Sequence, residues 1–266
     1  MIIDLTRCTG CHNCQIACKD EYVDNDWMPY SKAQPETGQF WMKVNFAVRG
    51  TVPKVKVAYT PIPCMQCENP PCMAAATGDA MYKRPDGIVM IDPAKSVGQV
   101  QLVASCPYGA IYSNDELALP QKCTFCAHLL DKGWKEPRCV EACNTQALIF
   151  GEYDDLKATI NEKGAVPLNP EYGTKPRVYY IALPKTFIAG ALVDSKGECL
   201  AGADVTATDT ASGKVAAKTT SDAFGDFWLD GLETKKNYDV TITSAGNTKT
   251  ISVSLDTDTN LGDIQL

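Results

Sequence analysis

The sequence predicts an α+β protein in two parts, a cysteine-rich region of short repeated elements followed by a small all-β domain. Twelve of the 13 cysteines lie in the first 150 residues, short segments recur within that region, and only Cys199 follows it. We therefore predict one domain over residues 1–150, a helix near 154–162 with a connector over 151–185, and an all-β sandwich over 186–266.

Cysteines at both ends of the first domain form two arrays whose spacing indicates iron–sulfur ligation. The first array reads C-x2-C-x2-C-x3-C, the bacterial ferredoxin run in which the fourth cysteine ligates a neighbouring cluster. The last array keeps the opening C-x2-C and the closing x3 around a longer loop. If each array gives its fourth cysteine to the cluster of the other array, the two arrays form two [4Fe-4S] sites. One site has Cys8, Cys11, Cys14 and Cys143, and the other has Cys18, Cys123, Cys126 and Cys139.

The arrays between them are incomplete in one consistent way. By the same exchange, the remaining cysteines complete one cluster site: Cys64, Cys67, Cys72 and Cys106. The positions that would ligate a fourth cluster hold other residues: Ala76, Ser96, Gln99 and Leu102. Because one site has lost every ligand and its partner none, we predict three clusters, with the fourth site refilled by small and apolar side chains.

Internal repeats support the same arrangement. Residues 3–11 align without a gap on residues 91–99, and the tails after three fourth-cysteine positions also match, over 77–82, 107–112 and 146–150. Self-similarity of this kind indicates a repeated structural unit. The first domain is therefore predicted to be a duplicated bacterial-ferredoxin-like [4Fe-4S] module.

Zinc is the main alternative for these cysteines. Structural zinc sites usually join two C-x2-C pairs across a loop. Here a third cysteine follows each opening pair and one ligand is exchanged between arrays, which favours iron–sulfur clusters and electron transfer. Neither a nucleophile set nor a phosphate-binding loop accompanies them, so we predict no catalytic residue in this chain.

Composition limits the other functions. A net charge of −7 without a basic run argues against nucleic-acid binding. No apolar stretch approaches the roughly 20 residues that span a bilayer. The first predicted ligand is residue 8, which leaves no room for a signal peptide before it. A cytoplasmic location is expected, with export inside a complex on a partner's signal as the alternative.

The segment after residue 185 is typical of an all-β domain. Residues 240–243 and 250–255 alternate apolar and polar side chains, and turn residues bound them. About seven short strands at 8–12-residue spacing predict a small sandwich.

Residues 64–72 and 106–110 closely resemble the iron–sulfur subunit of the dimethyl sulfoxide reductase family of molybdopterin enzymes. Most members carry four clusters, and this chain departs from them at the four positions named above. Within the family it is similar to subunits with three cubic clusters and an added carboxy-terminal β-domain. Residues 202–205 and 221–227 resemble the regulatory β-domain of carboxypeptidases, a transthyretin-like sandwich.

This resemblance implies a large catalytic partner in a heterodimer or larger complex. The partner would hold molybdenum or tungsten on two molybdopterin guanine dinucleotides (bis-MGD) and act on hydroxylated aromatics. Two alternatives stay open: the electron-transfer subunit of a related reductase or catechol dehydroxylase, and a free-standing polyferredoxin.

Overall fold

The computed structural model describes residues 1–266 and separates them into two units. The first unit comprises Met1–Phe46 and Tyr59–Leu183, and the second comprises Ala47–Ala58 and Pro184–Leu266. None of the helices has both the length and the apolar character needed to span a membrane.

Turns at cysteines and prolines interrupt the chain up to Leu183, so its elements are short. The helices are α1 (Asn13–Tyr22), α2 (Pro71–Ala75), α3 (Gln101–Ala104), α4 (Ala127–Leu130), α5 (Arg138–Glu141) and α6 (Tyr153–Glu162). The strands are β1 (Ile2–Asp4), β2 (Lys43–Thr51), β3 (Lys54–Ile62), β4 (Met81–Lys83), β5 (Val89–Ile91), β6 (Ile111–Asn114), β7 (Leu119–Lys122), β8 (Leu148–Ile149), β9 (Val166–Pro167) and β10 (Tyr179–Ile181). Helix α6 lies where the sequence predicts a helix, near residues 154–162.

Strand β1 brings the two ends of the cysteine-rich region together. It lies inside a four-stranded sheet of order β8-β1-β10-β9. Ile3 pairs with Leu148 of the antiparallel β8, and Ile2 pairs with Tyr179 of the parallel β10. Both isoleucines are fully buried, as expected for an apolar run with a strand on each side. This pairing places the turn before Cys8 beside the segment that follows Cys143.

The repeats predicted from the sequence share backbone features in the structure. Asp4 and Asp92 occupy equivalent positions, and the Oδ1 atom of each accepts a hydrogen bond from the amide two residues later, at 3.0 and 2.8 Å. Asp79, Gly109 and Gln146 occupy a second equivalent position, and all three have positive φ angles, of 54°, 58° and 53°. A left-handed residue is uncommon outside glycine, so its recurrence at one repeat position reflects a shared turn.

The second unit forms two packed sheets. Its strands are β11 (Thr186–Val193), β12 (Asp204–Asp209), β13 (Val215–Thr220), β14 (Asp226–Leu232), β15 (Lys236–Ser244), β16 (Asn247–Leu255) and β17 (Thr259–Gln265). The sheets have the orders β14-β11-β17 and β13-β12-β15-β16. Side chains from both, including Ile188, Phe227 and Val240, form one buried core. The all-β prediction after residue 185 is confirmed.

The outer part of the β2–β3 hairpin differs from the sequence-based assignment. We expected residues 47–58 in the first domain, but the structure groups them with the second unit. Charged side chains connect these residues to the second unit. Arg49 forms two hydrogen bonds with the Asp258 carboxylate, at 2.7 and 2.9 Å, and the buried Lys54 pairs with Asp226. Lys56 lies over the Trp228 ring, 4.6 Å from its centroid.

The Arg49–Asp258 pair provides a test of this attachment. The two side chains are only 18% and 12% exposed, and Asp258 also accepts a hydrogen bond from the Phe187 amide at 3.1 Å. Asp258→Ala leaves a mostly buried guanidinium without a counter-charge, with only its hydrogen bond to the Lys185 carbonyl at 2.6 Å. The second unit should therefore lose roughly 3–5 kcal/mol of stability. Hydrogen exchange of the intact chain in increasing urea, read by mass spectrometry, measures this loss.

Asp204→Ala is the matched control for that substitution. Asp204 pairs with Lys218 at 3.2 Å, but both side chains are more than half exposed. Exposed pairs contribute about 0–1 kcal/mol, so this variant should unfold nearly as the parent does. Equal losses in the two variants would contradict the role given to Arg49.

Candidate iron–sulfur sites

The first set of cysteines, Cys8, Cys11, Cys14 and Cys143, lines one cavity of about 320 Å³, a volume that includes space open to solvent. Cys11 is exposed, which places this set near the surface. Gly10, between two of the ligands, has a φ of +68°, and a Cβ atom there would lie 2.3 Å from the Tyr59 ring. Only glycine therefore fits this turn.

Hydrogen-bond donors surround Cys143. Its Sγ atom accepts a hydrogen bond from the Ala147 amide at 3.2 Å and lies 3.7 Å from the Thr145 hydroxyl. Burial alone would raise the pKa of the Cys143 thiol, but the Leu148 amide, the Thr145 hydroxyl and the Ala147 amide lower it overall. At Cys14 the balance is reversed, because burial, with the charges of the neighbouring thiolates added, raises the pKa to about 12.

The second set lines another cavity, of about 340 Å³ with its open space: Cys64, Cys67, Cys72 and Cys106. Burial raises the pKa of Cys67 to about 12, and a hydrogen bond from Thr174 opposes that rise. The Thr174 hydroxyl lies 2.8 Å from that of Tyr108, which also lines the cavity. The Cys106 Sγ atom accepts a hydrogen bond from the Ala110 amide at 3.5 Å.

The third set is the most buried. Its members are 4–7% exposed: Cys18, Cys123, Cys126 and Cys139. Burial raises the pKa of Cys123 to about 12, and it also raises that of Cys139, which the charges of Cys126 and Cys18 raise further. The four thiols are therefore neighbours, although they come from opposite ends of the first 150 residues.

Helix α1 explains how one array serves two sets. Cys14 and Cys18 are four residues apart, so they lie on one helical face, one turn from each other. The charge of the Cys14 thiolate raises the pKa values of Cys18 and Cys139 in the third set. The charge of Cys64, from the second set, raises the pKa of Cys123 in the same way. The third set therefore lies between the other two.

The donor atoms fit iron–sulfur clusters. Such clusters are held by four thiolates, and each set supplies four thiols. Thiols with raised pKa values lose their protons when metal binds, so the metal supplies the compensating charge.

The four positions without cysteine also meet in the structure. Leu102 is fully buried in an apolar cluster that includes Met81 and Val89, and Ala76 packs against the same cluster. These two residues agree with the prediction that apolar side chains refill this site. The cluster also contains Cys72, so the filled site adjoins the second set.

Gln99 fills its part of that site with hydrogen bonds. Its Oε1 atom accepts from the Thr77 amide at 3.0 Å, and its Nε2 donates to the carbonyls of Thr77 and Lys95, both at 3.0 Å. Ser96 is fully buried and its hydroxyl has no partner. One amide side chain thus joins two loops that a cluster would otherwise connect.

Sequence reasoning missed three polar residues at the sets. Tyr22 is 1% exposed; its hydroxyl lies 2.7 Å from that of Thr124 and also hydrogen-bonds with Cys126. Thr174 comes from the connector, whose sequence carries no cysteine. Lys122 ends a strand beside the second and third sets, and no spacing rule points to it. The remaining cysteine, Cys199, is exposed and belongs to no set.

Three four-thiol sets on short, repeated turns define an iron–sulfur protein. Residues 55–153 match the 4Fe-4S dicluster domain family, and residues 188–266 match the carboxypeptidase regulatory-like domain family. The second match confirms the relationship predicted for the β-domain.

Characterised relatives extend this assignment to the whole chain. The pyrogallol hydroxytransferase small subunit of Pelobacter acidigallici is 41% identical over 96% of this chain and 94% of its own length. A sulfite dehydrogenase subunit of Allochromatium vinosum is 35% identical over 70% and 83%, and a subunit of the anaerobic dimethyl sulfoxide reductase of Escherichia coli is 34% identical over 66% and 84%. The chain belongs to the iron–sulfur electron-transfer subunits of the dimethyl sulfoxide reductase family of molybdopterin enzymes.

Leu102 tests how the fourth site is now stabilised. Leu102→Ala removes a fully buried side chain, which typically costs about 2–5 kcal/mol. The substitution should lower the urea concentration at which the visible absorbance of the clusters bleaches. Val100→Ala, at a 58% exposed position just before α3, should leave it nearly unchanged. A similar midpoint in both variants would show that the apolar filling is not what stabilises this region.

Proposed function

We propose that this chain binds three [4Fe-4S] clusters and transfers electrons for a catalytic subunit that holds a bis-MGD molybdenum or tungsten centre. The observation that carries the proposal is the row of three four-thiol sets, all of which contribute cysteines to one connected core. When bound, the clusters supply one-electron redox chemistry. The chain's own residues hold them, exclude water from the third set and direct hydrogen bonds at the thiolates. No catalytic residue is assigned to this chain.

The order of the sets suggests a route. The third set lies between the other two, so electrons pass from the first set through the third to the second, or in reverse. The first set has an exposed cysteine, Cys11, and is one end of this route. Burial of the third set keeps solvent away from the middle of the relay.

The partner is proposed to act on hydroxylated aromatics by transhydroxylation, in a heterodimer or a larger assembly. Similarity to the pyrogallol hydroxytransferase small subunit supports this substrate class, because it extends through the β-domain. The second candidate is a reductase or catechol dehydroxylase, favoured by the similarity to reductase subunits over 66–71% of this chain. Assay of the co-purified complex with pyrogallol, and with a catechol plus reductant, separates the two.

We also propose that the first unit arose from a duplicated ferredoxin-like module. The shared aspartate turns and the shared left-handed positions support this origin. The second unit is proposed to be a transthyretin-like sandwich. The cytoplasmic location stays a prediction.

Cluster stoichiometry tests the proposal. Three cubes require about twelve irons and twelve acid-labile sulfides per chain. Metal and sulfide analysis of the intact subunit, with visible absorbance that dithionite bleaches, should return these amounts. About sixteen irons would mean that the fourth site is occupied, and about eight would remove one of the three proposed sets. Stoichiometric zinc without colour would overturn the iron–sulfur assignment.

Ligand exchange predicts which cluster each cysteine serves. Cys18→Ala should damage the cluster of Cys123, Cys126 and Cys139, because α1 presents its thiol to that set. The signal of the first set should persist. Electron paramagnetic resonance of the reduced protein distinguishes the clusters, and the exposed Cys199→Ala is the matched control that should alter none of them. Loss of the first-set signal in the Cys18 variant would contradict the exchange.

A further inference from the structure

Two lysines of this chain are buried, and they differ in their partners. Lys54 is 5% exposed and pairs with the Asp226 carboxylate. Lys122 is 2% exposed, and its ammonium group donates hydrogen bonds to two backbone carbonyls, those of Val89 and Cys123. No carboxylate of the chain neutralises Lys122.

An ammonium group in this position needs a compensating negative charge. Lysines are almost never fully buried unless they are paired, because removing the charge from water is costly. Carbonyl oxygens satisfy the hydrogen-bonding capacity of Lys122 but carry no net charge. The missing counter-charge must therefore come from a group that the chain binds or from a thiolate.

The residues around Lys122 indicate where its counter-charge lies. Its side chain lines the cavity of the second set, together with all four cysteines of that set. Burial raises the pKa values of Cys72 and Cys106, and the charge of Lys122 is among the influences that oppose this rise. The residue directly after it, Cys123, belongs to the third set, and the charge of Lys122 also opposes the rise in the Cys123 pKa, but the cavity that the Lys122 side chain lines is that of the second set.

We propose that Lys122 is the internal counter-ion of the cluster held by the second set and raises its reduction potential. This inference rests on the proposed function, since it requires a cluster at that set. One-electron reduction adds one negative charge to the cluster, and a fixed positive charge nearby stabilises the reduced form more than the oxidised form. Burial of the ammonium group strengthens this effect, because buried charges are screened less than exposed ones.

A structural role for Lys122 is the competing explanation. Its two hydrogen bonds tie β5 to the segment that enters the third set, and a neutral donor could make the same ties. The two roles differ in what they change. Loss of a tie affects stability and cluster content, whereas loss of the charge shifts the potential of an intact cluster.

The test uses the full-length subunit co-purified with its partner. Lys122→Met removes the charge and the donors, Lys122→Gln removes the charge and keeps a donor, and Lys122→Arg keeps the charge. Lys83→Met is the matched control, since Lys83 is partly exposed and already paired with Glu68 at 3.3 Å. Redox titration followed by electron paramagnetic resonance gives each cluster's midpoint potential, and the signal altered by Cys106→Ser identifies the second-set cluster.

Both neutral variants should shift the midpoint of the second-set cluster to a more negative potential. Lys122→Arg, which retains the positive charge, should stay near the parent value, and the Lys83 control should show no shift. If Lys122→Met fails to retain the cluster, Lys122→Gln decides the question with the donor in place.

An unchanged midpoint in the neutral variant that retains the cluster, or an equal shift in Lys122→Arg, would overturn the counter-ion role. A parent protein without a cluster at the second set would instead refute the proposed function, whatever the variants show.

Discussion

The convergence of four thiols at each set is the constraint on which the first unit depends. Helices α2–α5 have four or five residues and strands β8 and β9 have two, far less than such elements need to be stable alone. Cys8 and Cys143 must meet across nearly the whole cysteine-rich region, and closing so large a loop has an entropic cost. Metal ligation offsets that cost, because the free energy of binding becomes free energy of folding. The second unit needs no such support, since its two sheets bury an apolar core of their own.

The four positions without cysteine show how side chains can occupy the place predicted for a fourth cluster. A cluster connects the loops that ligate it, so removing it leaves both a cavity and unconnected loops. Leu102 fills the space with apolar contacts, and Gln99 restores the connection with three hydrogen bonds. The buried Ser96 hydroxyl, at one of these four positions, has no hydrogen-bond partner. These side chains therefore fill the space and connect the loops, but they leave one buried hydroxyl without a hydrogen bond.

Much of this could be predicted from the sequence because cysteine spacing and strand periodicity are local patterns. The exchange rule grouped thiols that lie together in the structure, and alternation predicted the β-domain. What escaped prediction depends on long-range contacts. Nothing local in residues 47–58 shows that Arg49 would pair with Asp258, so the hairpin was assigned to the first domain. Likewise, a lysine at the end of a strand usually reaches solvent, and only the fold shows that Lys122 does not.

Placement of charge connects these observations to electron transfer. The chain is acidic overall, so its general field opposes adding electrons, and each set needs local stabilisation of negative charge. The first set has nearby solvent and the donors around Cys143, and the second has Lys122. The third set has the least solvent around it, and besides backbone amides and the Tyr22 hydroxyl it has only the charges of Lys122, near Cys123, and Arg138, near Cys126. A reduced cluster is least stabilised where burial is most complete, so the third set should have a low potential. In the proposed relay, electrons then pass through the third-set cluster without accumulating on it. They reside mainly on the clusters of the two outer sets.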